Sequence, residues 1–580
     1  MERLPVGLTN SYNSMFSAEE KEILKKYVTD PDGDVFCVTN LEGIVGSIYA
    51  RYSRAKGGFR EVLLKEFIKE GMLDVQRASQ LIERVLVAYG DDSVGELEGA
   101  HVSFENISVL LTKEIEDRRI GGSPIEQSTR YVFYDQRDEQ GNFRYYRDPR
   151  IMASPHASEY VATMDFVFQT YCDLMEPMKA YYQGLKPIEE AEYDILGTGQ
   201  KQKIAELKEE KDQKAFTITY NSDIRTKACD SLRSLLPLST KTNVGMFGNG
   251  RFYQGVLSHL MTLSFSEAAS VAQQGKAELD KVIPHYVKRS KANDYRQTVH
   301  QAMNALTSEL LATTDAKDED PVVLLDRGES AMAEMINTLV MEQTMISADQ
   351  LRELTRDEED VLTIAMMLYE YCHHPLRQLI KVVRKLTPEL KERIRQTYIG
   401  ERQTRRDRPY RALESGYRYT FDLITDFGTY KDLERHRMTS QLRQRFSPML
   451  GFIVPEDIKL AGFEAKALAC HERVKALYQT FVRDFPLEAS YVTLHGHKVR
   501  WILAFNEREA YHLLELRTTP QGHPQYRKVC QLLHKEIAKT RSWRAEAMKF
   551  VDHNDYFWSR GDAEAKQRVK ERKLDEKDIQ

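Results

Sequence analysis

Proline and glycine are scarce in this chain, at 18 and 30 of 580 residues. So low a content excludes collagen-like and loose low-complexity architectures. The longest apolar run that we find, Val361–Leu368, is roughly a third of what a bilayer crossing needs. The sequence therefore predicts a globular chain that does not span a membrane.

Paired cysteine motifs are also missing. No C-x-x-C pair exists among the widely spaced cysteines, so neither a structural zinc site nor a disulfide scaffold is indicated, and we expect buried thiols at Cys37, Cys172, Cys229, Cys372, Cys470 and Cys530. Residues 1–16 lack the apolar core of a secretory signal. We therefore expect a cytoplasmic protein.

The chain lacks an excess of either charge, with 83 basic and 88 acidic residues and a net charge of −5. No overall basic field is available to hold a nucleic-acid backbone, which argues against nucleic acid as a partner. No G-x-S-x-G elbow or nucleophilic cysteine motif is present, so covalent catalysis has no visible candidate. The pairs His373-His374 and His495-x-His497 have no acidic or cysteine residue at ligand spacing on the same helix, and we expect no metal site.

Helical periodicity dominates what is present. Apolar residues spaced by three and four predict helices over Val75–Ala88, Ser158–Leu185, Gly255–Ile283, Ser330–Met345, Glu359–Cys372, Leu376–Arg393, Glu464–Phe481 and His523–Lys539. Segments rich in β-branched and aromatic residues predict strands over Arg130–Tyr134, Ala215–Tyr220, Tyr417–Ile424 and Lys498–Phe505. The predicted fold class is α+β.

Two halves of the chain repeat one order of residues. Phe104 stands 14 residues before Arg118, and Phe421 stands 14 residues before Arg435. An Asn-x-Arg triplet follows each arginine loop, at 249–251 and at 506–508. This order predicts a diverged tandem repeat, in which each half has a small mixed or antiparallel sheet packed with long helices.

The expected domain boundaries follow from this repeat and from changes in composition. We expect a first repeat over residues 1–300, with an exposed insertion around 186–215 that includes the charged stretch Ala205–Lys214. A linker over 301–328 and a second repeat over 329–560 follow. The charged tail over 561–580 is expected to form a frayed helix.

Residues able to carry chemistry concentrate in two segments. Arg435-His436-Arg437 is followed closely by Arg443 and Arg445. Arginine forks suit phosphate oxygens, and a histidine can contact a polar heterocycle or relay a proton. A solvated basic helix face is the alternative interpretation. The first-half segment 126–131 combines a carboxylate, a hydroxyl, a guanidinium and an aromatic ring, which can hold phosphate, hydrogen-bond a base and stack on it.

Further arginines crowd the stretch before the second repeat core. They either contact an acidic ligand or are solvated, and they are Arg402, Arg405, Arg406, Arg408 and Arg411.

The second half carries a recognisable signature. Arg435-His436-Arg437-Met438-Thr439-Ser440, followed by Gln444-Arg445-Phe446-Ser447, resembles the R-H-R-x-x-S…S-x-R-Y motif of the flavin-dependent thymidylate synthases, the ThyX family. Asn506-x-Arg508, Leu516-Arg517 and His523–Tyr526 are similar to that family's N-x-R, L-R and A-Q-W run.

The first half resembles the same family at other positions. These are Glu98, Phe104, Glu126-x-Ser128-x-Arg130-Tyr131, Leu232-Arg233, Leu236-Pro237 and Asn249-x-Arg251. The resemblance covers roughly Val85–Lys281 and Thr404–Lys539, which implies two family units fused in one chain.

The resemblance implies a reaction and its ligands. The family makes dTMP from dUMP with FAD, with methylenetetrahydrofolate as carbon donor and NADPH as reductant, and without an enzyme nucleophile. By resemblance, the residues that contact FAD are Glu98, Arg435, His436, Arg437, Asn506 and Arg508. Those that contact the nucleotide are Glu126, Ser128, Arg130, Tyr131, Arg233 and Arg517, of which Arg517 is the catalytic candidate. Because the family forms four-subunit assemblies, a chain of two units is expected to form a homodimer.

Departures from the family pattern are complementary between the halves. The first half has Arg118-Arg119-Ile120 where the family has R-H-R, and Leu260 replaces a nucleotide arginine. The second half is two residues short between Ser440 and Arg445, and Ser490 replaces another family arginine. Each half keeps what the other lost, so we expect one composite site. An active enzyme, an inactive ligand-binding homologue and a helical interaction protein with coincidental motifs remain the alternatives.

Overall fold

A computed structural model describes residues 16–83, 94–310, 320–326, 348–369, 371–409, 411–415, 418–540 and 542–578. Contacts between Cα atoms divide the chain into two compact units. The first unit comprises Met1–Gln127 and Lys241–Thr314, and the second comprises Ser128–Thr240 and Asp315–Gln580. The sequence predicted a first repeat over residues 1–300, whereas Ser128–Thr240 belongs to the second compact unit. Repeats and compact units are different divisions of the chain, so the repeat boundaries stay a prediction.

The helices of the described residues are numbered in chain order. They are α1 (Ala18–Leu24), α2 (Val45–Tyr52), α3 (Phe59–Val62), α4 (Val75–Glu83), α5 (Val109–Glu116), α6 (Pro149–Met152), α7 (Ala157–Leu185), α8 (Glu210–Leu232), α9 (Gly250–Thr262), α10 (Ser266–Val282), α11 (Pro284–Val287), α12 (Asp294–Leu310), α13 (Ala348–Tyr369), α14 (Leu376–Arg384), α15 (Pro388–Ile399), α16 (Ala412–Ser415), α17 (Phe427–Leu433), α18 (Glu456–Leu460), α19 (Glu464–Phe481), α20 (Glu507–Arg517), α21 (Pro524–Thr540), α22 (Ser542–Glu546) and α23 (Ser559–Asp578).

The strands of the same residues form antiparallel pairs. They are β1 (Ile68–Lys69), β2 (Met72–Leu73), β3 (Gly99–Ser108), β4 (Gly122–Glu126), β5 (Lys241–Asn249), β6 (Val322–Asp326), β7 (Arg418–Asp426), β8 (Thr439–Arg443) and β9 (Lys498–Asn506). Mixed helix and strand content with small antiparallel sheets confirms the α+β class.

The first unit contains a sheet of three strands in the order β3-β5-β4. Its central strand β5 alternates buried and more exposed residues, with Val244 and Met246 on the buried side. A period of two is the pattern of a strand that covers a core with one face. Helices α9 and α10 pack against each other in this unit, and Leu257 and Leu279 are buried in them.

The second unit contains a sheet in the order β6-β7-β9-β8. Alternate residues of the central strand β9 are buried, among them Trp501, Leu503 and Phe505. The long helices α7 and α8 pack on each other, and α19 packs on α7. The predicted strands Tyr417–Ile424 and Lys498–Phe505 are confirmed as β7 and β9, with Tyr417 outside the described residues.

The tandem repeat is confirmed by local topology. In the first unit the order is β3, α5, β4, then β5 and α9, and in the second it is β7, α17, β8, then β9 and α20. In both sheets the late strand lies between the two earlier ones. Ser108 and Asp426 cap α5 and α17, and Asn249 and Asn506 cap α9 and α20.

Two predicted strands are wrong. Ala215–Tyr220 lies inside α8, because Phe216 and Tyr220 recur at a helical spacing of four and both are buried. Arg130–Tyr134 begins in a turn, in which the amides of Tyr131 and Val132 donate to the Ser128 carbonyl, and residues 132–134 form no regular element.

Two predicted long helices are each interrupted. Gly255–Ile283 contains the end of α9 and then α10, with an extended residue at Leu263 between them. Leu376–Arg393 contains α14 and the start of α15, because Thr387 caps the second helix and Pro388 follows it. Helices over Ser158–Leu185, Glu359–Cys372, Glu464–Phe481 and His523–Lys539 correspond to α7, α13, α19 and α21.

Two further predicted helices and the predicted linker can be compared with the structure only in part. Val75–Ala88 is described as helix α4 up to Glu83, and Ser330–Met345 lies outside the described residues. The segment 301–328, expected as a linker, contains the end of α12 and strand β6.

The charged segments are better ordered than we expected. The prediction that Ala205–Lys214 is exposed is wrong in part, because Leu207 and Asp212 are buried. Helix α8 begins within this stretch, at Glu210. The tail forms α23, which packs on α8.

All six cysteines are free thiols. The expectation of buried thiols is wrong for half of them, because Cys37 is exposed and Cys172 and Cys372 are half-buried. Among the described residues, no helix has the length and apolar character needed to cross a membrane.

Candidate functional site

Strand register brings the two second-half motifs together. Arg435-His436-Arg437 occupies the turn between α17 and β8, and Asn506 ends β9. Thr439 pairs with Phe505, so the residues just before β8 lie beside the residues just after β9. Pairing of adjacent antiparallel strands thus places the arginine loop at the N-terminal end of α20.

A cavity of about 400 Å³ lies at this junction in the second unit. Its volume falls within the range of about 300–1,000 Å³ that is usual for small-molecule sites. It is lined by Arg408, Glu414, Arg435, His436, Arg437, Met438, Asn506, Arg508, Glu509, His512, Leu516 and Arg517. Five arginines against two carboxylates make the wall cationic, which suits an anionic ligand.

His436 has defined contacts on both ring nitrogens. Its Nδ1 lies 2.9 Å from the Glu509 Oε1 atom, and Arg517 donates from Nε to the His436 Nε2 atom across 2.9 Å. The ring is buried, and the His512 ring lies 5.3 Å from it between centroids. His436 therefore joins the arginine loop to two turns of α20.

Arg508 is held at the cavity wall by two contacts. Its Nε donates to the Pro409 carbonyl across 2.8 Å, and its Nη1 donates to the Glu414 carboxylate. The Asn506 side chain accepts from the Glu509 amide at 2.8 Å and caps α20. Backbone and side chain thus fix the first turn of α20 in the cavity wall.

The cavity also has a group with metal-ligand chemistry. His436, Glu509 and His512 offer ligand atoms within 4.8 Å of one another. Burial lowers the pKa of His512 to about 4; Glu509 opposes this shift, and Arg408 adds to it. Arg408 opposes a proton on His512, and for the same electrostatic reason it opposes a metal cation. We therefore favour an anion as the ligand of this cavity.

The predicted nucleotide arginines lie in an ion-pair cluster of the second unit. Arg130 forms a bidentate pair with Asp230, at 2.7 and 2.8 Å. Arg233 donates to the Asp432 Oδ2 atom at 3.2 and 3.3 Å. Burial disfavours ionised Asp432, but Arg233 and other nearby arginines outweigh it and lower its pKa well below the usual range.

Arg517 connects this cluster to the cavity. It lines the cavity, and it is also one of the cations that stabilise ionised Asp432, together with Arg233 and Arg130. His523 belongs to the same cluster; burial, reinforced by Arg233, lowers its pKa to about 3. Its ring nitrogen Nε2 lies 3.3 Å from the Asp230 carbonyl oxygen.

The remaining predicted contacts fall in different places. Glu98 accepts from the Gly43 amide at 3.0 Å, and Glu126 pairs with Lys113 at 3.4 Å, all in the first unit. In the second unit, Ser128 accepts from the Arg130 amide at 3.2 Å, and Tyr131 is exposed. The second-unit cavity therefore contains six of the predicted residues, namely Arg435, His436, Arg437, Asn506, Arg508 and Arg517.

Positions that depart from the family pattern have other contacts. Leu260 is fully buried, so it serves the core of the first unit. The Ser490 hydroxyl donates to the Phe446 carbonyl at 2.9 Å. In the first unit, Ile120 is 86% exposed in the loop that corresponds to Arg437. No guanidinium is supplied at these three positions.

Sequence reasoning missed several residues of the site. Arg408 was not among them, because it belongs to the arginine-rich stretch that the sequence left between ligand contact and solvation. It lines the cavity, whereas Arg402 of the same stretch is buried and paired with Glu515 at 2.7 and 2.5 Å. His512 and Leu516 follow Arg508 at helical spacings of four, and this spacing could have identified them. Glu509, Asp230 and Asp432 had no comparable signal.

The fold and the cavity together define an α+β protein of two repeats with a cationic site. A family model described as thymidylate synthase complementing protein matches residues 47–285 and 350–541. The chain belongs to this family. The ThyX resemblance is thereby confirmed, and the alternative of a helical protein with coincidental motifs is excluded.

Similar proteins cover nearly the whole chain. A UPF0159 protein of Chlamydia muridarum is 33% identical over 558 residues, which are 93% of this chain and 96% of the relative. A UPF0159 protein of Chlamydia pneumoniae is 33% identical over 555 residues, with the same coverage. A UPF0159 protein of Thermoplasma acidophilum is 29% identical over 535 residues, covering 90% of this chain and 98% of its own.

Proposed function

We propose that this protein is a flavin-dependent thymidylate synthase, which methylates dUMP reductively to dTMP. Methylenetetrahydrofolate would donate the carbon and NADPH would be the reductant. The observation that carries the proposal is the arginine-lined cavity at the junction of β8, β9 and α20. It gathers the family's R-H-R and N-x-R motifs in one wall.

The donor set of this cavity fits the phosphates of FAD. Arg435, Arg437 and Arg508 offer guanidinium groups, which pair with phosphate oxygens in bidentate fashion. Asn506 ends its strand where α20 starts, so backbone N–H groups and the positive end of the helix also favour an anion. When bound, reduced FAD would supply the electrons for methylation.

The chain's own residues would bind and orient the reactants. Arg517 is shared between the cavity wall and the Arg130–Arg233 cluster, so it would lie between flavin and nucleotide. His436 would hold the Arg517 guanidinium through its Nε2 atom. Arg130 and Arg233 would bind the phosphate of dUMP, once that phosphate displaces Asp230 and Asp432.

An inactive homologue that binds flavin is the second candidate. It is favoured by one observation, which is that Arg130 and Arg233 already have carboxylate partners. A dianionic phosphate would have to compete with these ion pairs. The two candidates differ in dTMP formation and share flavin binding.

A flavin spectrum and a product assay test the proposal. The purified protein should show or acquire FAD absorbance, and it should convert dUMP to dTMP with methylenetetrahydrofolate and NADPH. Arg508→Ala should lose bound FAD, whereas Arg406→Ala, at an exposed arginine outside the cavity wall, should keep it. Flavin binding without product supports the inactive homologue. No flavin binding at saturating FAD overturns both.

A further inference from the structure

Glu509 is a buried carboxylate in an otherwise cationic cavity wall. It lies in the first turn of α20, where the Asn506 cap fixes its backbone, and it is 6% exposed. A buried carboxylate costs free energy unless it is paired. Glu509 is paired with His436, because its Oε1 atom lies 2.9 Å from the Nδ1 atom of that ring. This contact controls the position of the proton on the His436 ring.

The contacts of His436 determine where its proton is. The Arg517 Nε–H is a donor and cannot accept, because a guanidinium stays protonated. The His436 Nε2 atom, at 2.9 Å, must therefore be the acceptor and carry no proton. The single proton of the neutral ring then lies on Nδ1 and is donated to Glu509. A doubly protonated ring would direct an N–H group at the Arg517 N–H group.

We infer that Glu509 is a positioning residue, which holds His436 in its Nδ1–H tautomer so that Nε2 orients Arg517 in the cavity wall. The same arrangement, in which a carboxylate orients a histidine through one nitrogen, is common where the other nitrogen has a task. Here the task is to accept from Arg517, and that bond helps to orient the Arg517 guanidinium in the cavity wall. This inference rests on the proposed function only for the identity of the ligand.

Charge and position predict opposite effects of Glu509 on anion binding. Removing a negative charge from the wall should strengthen the binding of an anion. Losing the tautomer should weaken it, because Arg517 loses its orienting bond. Glu509→Gln removes the charge and keeps an oxygen that accepts from Nδ1–H, whereas Glu509→Leu removes both.

The direct test is ¹⁵N NMR of histidine-labelled, ligand-free protein, with the His436 signals assigned from His436→Gln. The parent and Glu509→Gln should show a protonated Nδ1 and a bare Nε2, and Glu509→Leu should shift toward the Nε2–H form. The inference is overturned by an Nε2–H or charged ring in the parent, or by an unchanged tautomer in Glu509→Leu. These NMR measurements do not require bound FAD, so they test the inference separately from the proposed function.

Titration with inorganic pyrophosphate supplies the second test. Glu509→Leu should bind about tenfold more weakly than Glu509→Gln, since one charge-assisted hydrogen bond orients Arg517. Equal affinities of these two variants would overturn the inference. Glu414→Gln is the matched control, because Glu414 is the other carboxylate of the wall and pairs with Arg508. It should bind pyrophosphate more tightly than the parent and leave the His436 tautomer unchanged.

Discussion

Asn249 and Asn506 cap equivalent helices in the two units with nearly the same backbone, at φ −79°, ψ 169° and φ −78°, ψ 170°. Each side chain accepts from the amide three residues on, at 2.8 Å. The scaffold of the repeat has thus been kept, whereas the loops beside the caps have diverged. The pair therefore offers a matched comparison of structure with function.

The first prediction uses these two caps. Asn506→Ala and Asn249→Ala should each lower the free energy of unfolding of their unit by about 1 kcal/mol, because each loses an N-cap. Only Asn506→Ala should weaken FAD binding, since Asn506 lines the cavity. Chemical denaturation and flavin titration measure the two effects, and Asn506→Asp should restore stability. Equal loss of FAD in Asn249→Ala would contradict the assignment of the cavity.

The second prediction separates the two ligands. Arg437→Ala should weaken FAD roughly ten- to hundredfold and leave dUMP binding unchanged, because one charge-assisted contact is lost. Arg130→Ala should do the reverse. Calorimetric titration of each variant with both ligands measures this. If Arg130→Ala binds dUMP as tightly as the parent does, the composite site is wrong.

The third prediction concerns competition at Arg233. If a nucleotide phosphate must displace Asp432, Asp432→Asn should bind dUMP about five- to tenfold more tightly, a gain of roughly 1–1.4 kcal/mol. The amide can still accept from Arg233 but no longer competes as a charge. Calorimetry with dUMP measures the gain, and thermal unfolding checks that the variant is folded. Weaker binding by a folded variant would mean that Asp432 orients Arg233 for the ligand.

The fourth prediction is a pH dependence of stability. Burial lowers the pKa of His523 to about 3, whereas an unfolded chain has it near about 6.5. Between these values the unfolded state binds the extra proton, so the free energy of unfolding rises with pH. The contribution of His523 is complete above about pH 6.5 and is lost as the pH falls.

Replacement of His523 measures this contribution. The slope of unfolding free energy against pH should fall by about 1.4 kcal/mol per pH unit in His523→Asn between about pH 4 and about pH 6. Denaturant titrations at a series of pH values give the slope for both proteins. Identical slopes would show that the ring is not held neutral in the folded protein.

The fifth prediction is self-association. Two repeats in one chain should form a homodimer if the protein keeps the four-unit architecture that its family implies. Light scattering at micromolar concentration should give twice the chain mass of 67.3 kDa. A mass near that of one chain would show that a single chain suffices.

The sequence predicted the parts of the structure that local patterns determine. β7 and β9 were predicted from their β-branched and aromatic residues, and α7 and α19 from apolar residues spaced by three and four. The strand predicted at Ala215–Tyr220 failed because β-branched residues outweighed the spacing of Phe216 and Tyr220. Composition is a weaker signal than periodicity inside a long helix.

Only those residues of the candidate site that belong to a sequence motif could be predicted. The R-H-R and N-x-R residues were found, and strand pairing between Thr439 and Phe505 brings them together. Glu509 was missed because a carboxylate among arginines matches no cationic pattern. Asp230 and Asp432 were missed because their ion pairs join residues about 100 and 200 positions apart, and local spacing carries no information on such contacts.

Pairing of β8 with β9 continues from Thr439 as far as Gln444, whose amide donates to the Arg500 carbonyl at 3.0 Å. The arginine loop precedes this ladder, and the stretch between Ser440 and Arg445, which is two residues shorter than the family pattern, forms most of the ladder itself. Changes of length beyond Gln444 therefore leave the register, and with it the arginine loop, in place. Insertions after Gln444 should therefore leave the arginine loop in place, and such variants can be screened for altered ligand binding without a change in the cavity wall.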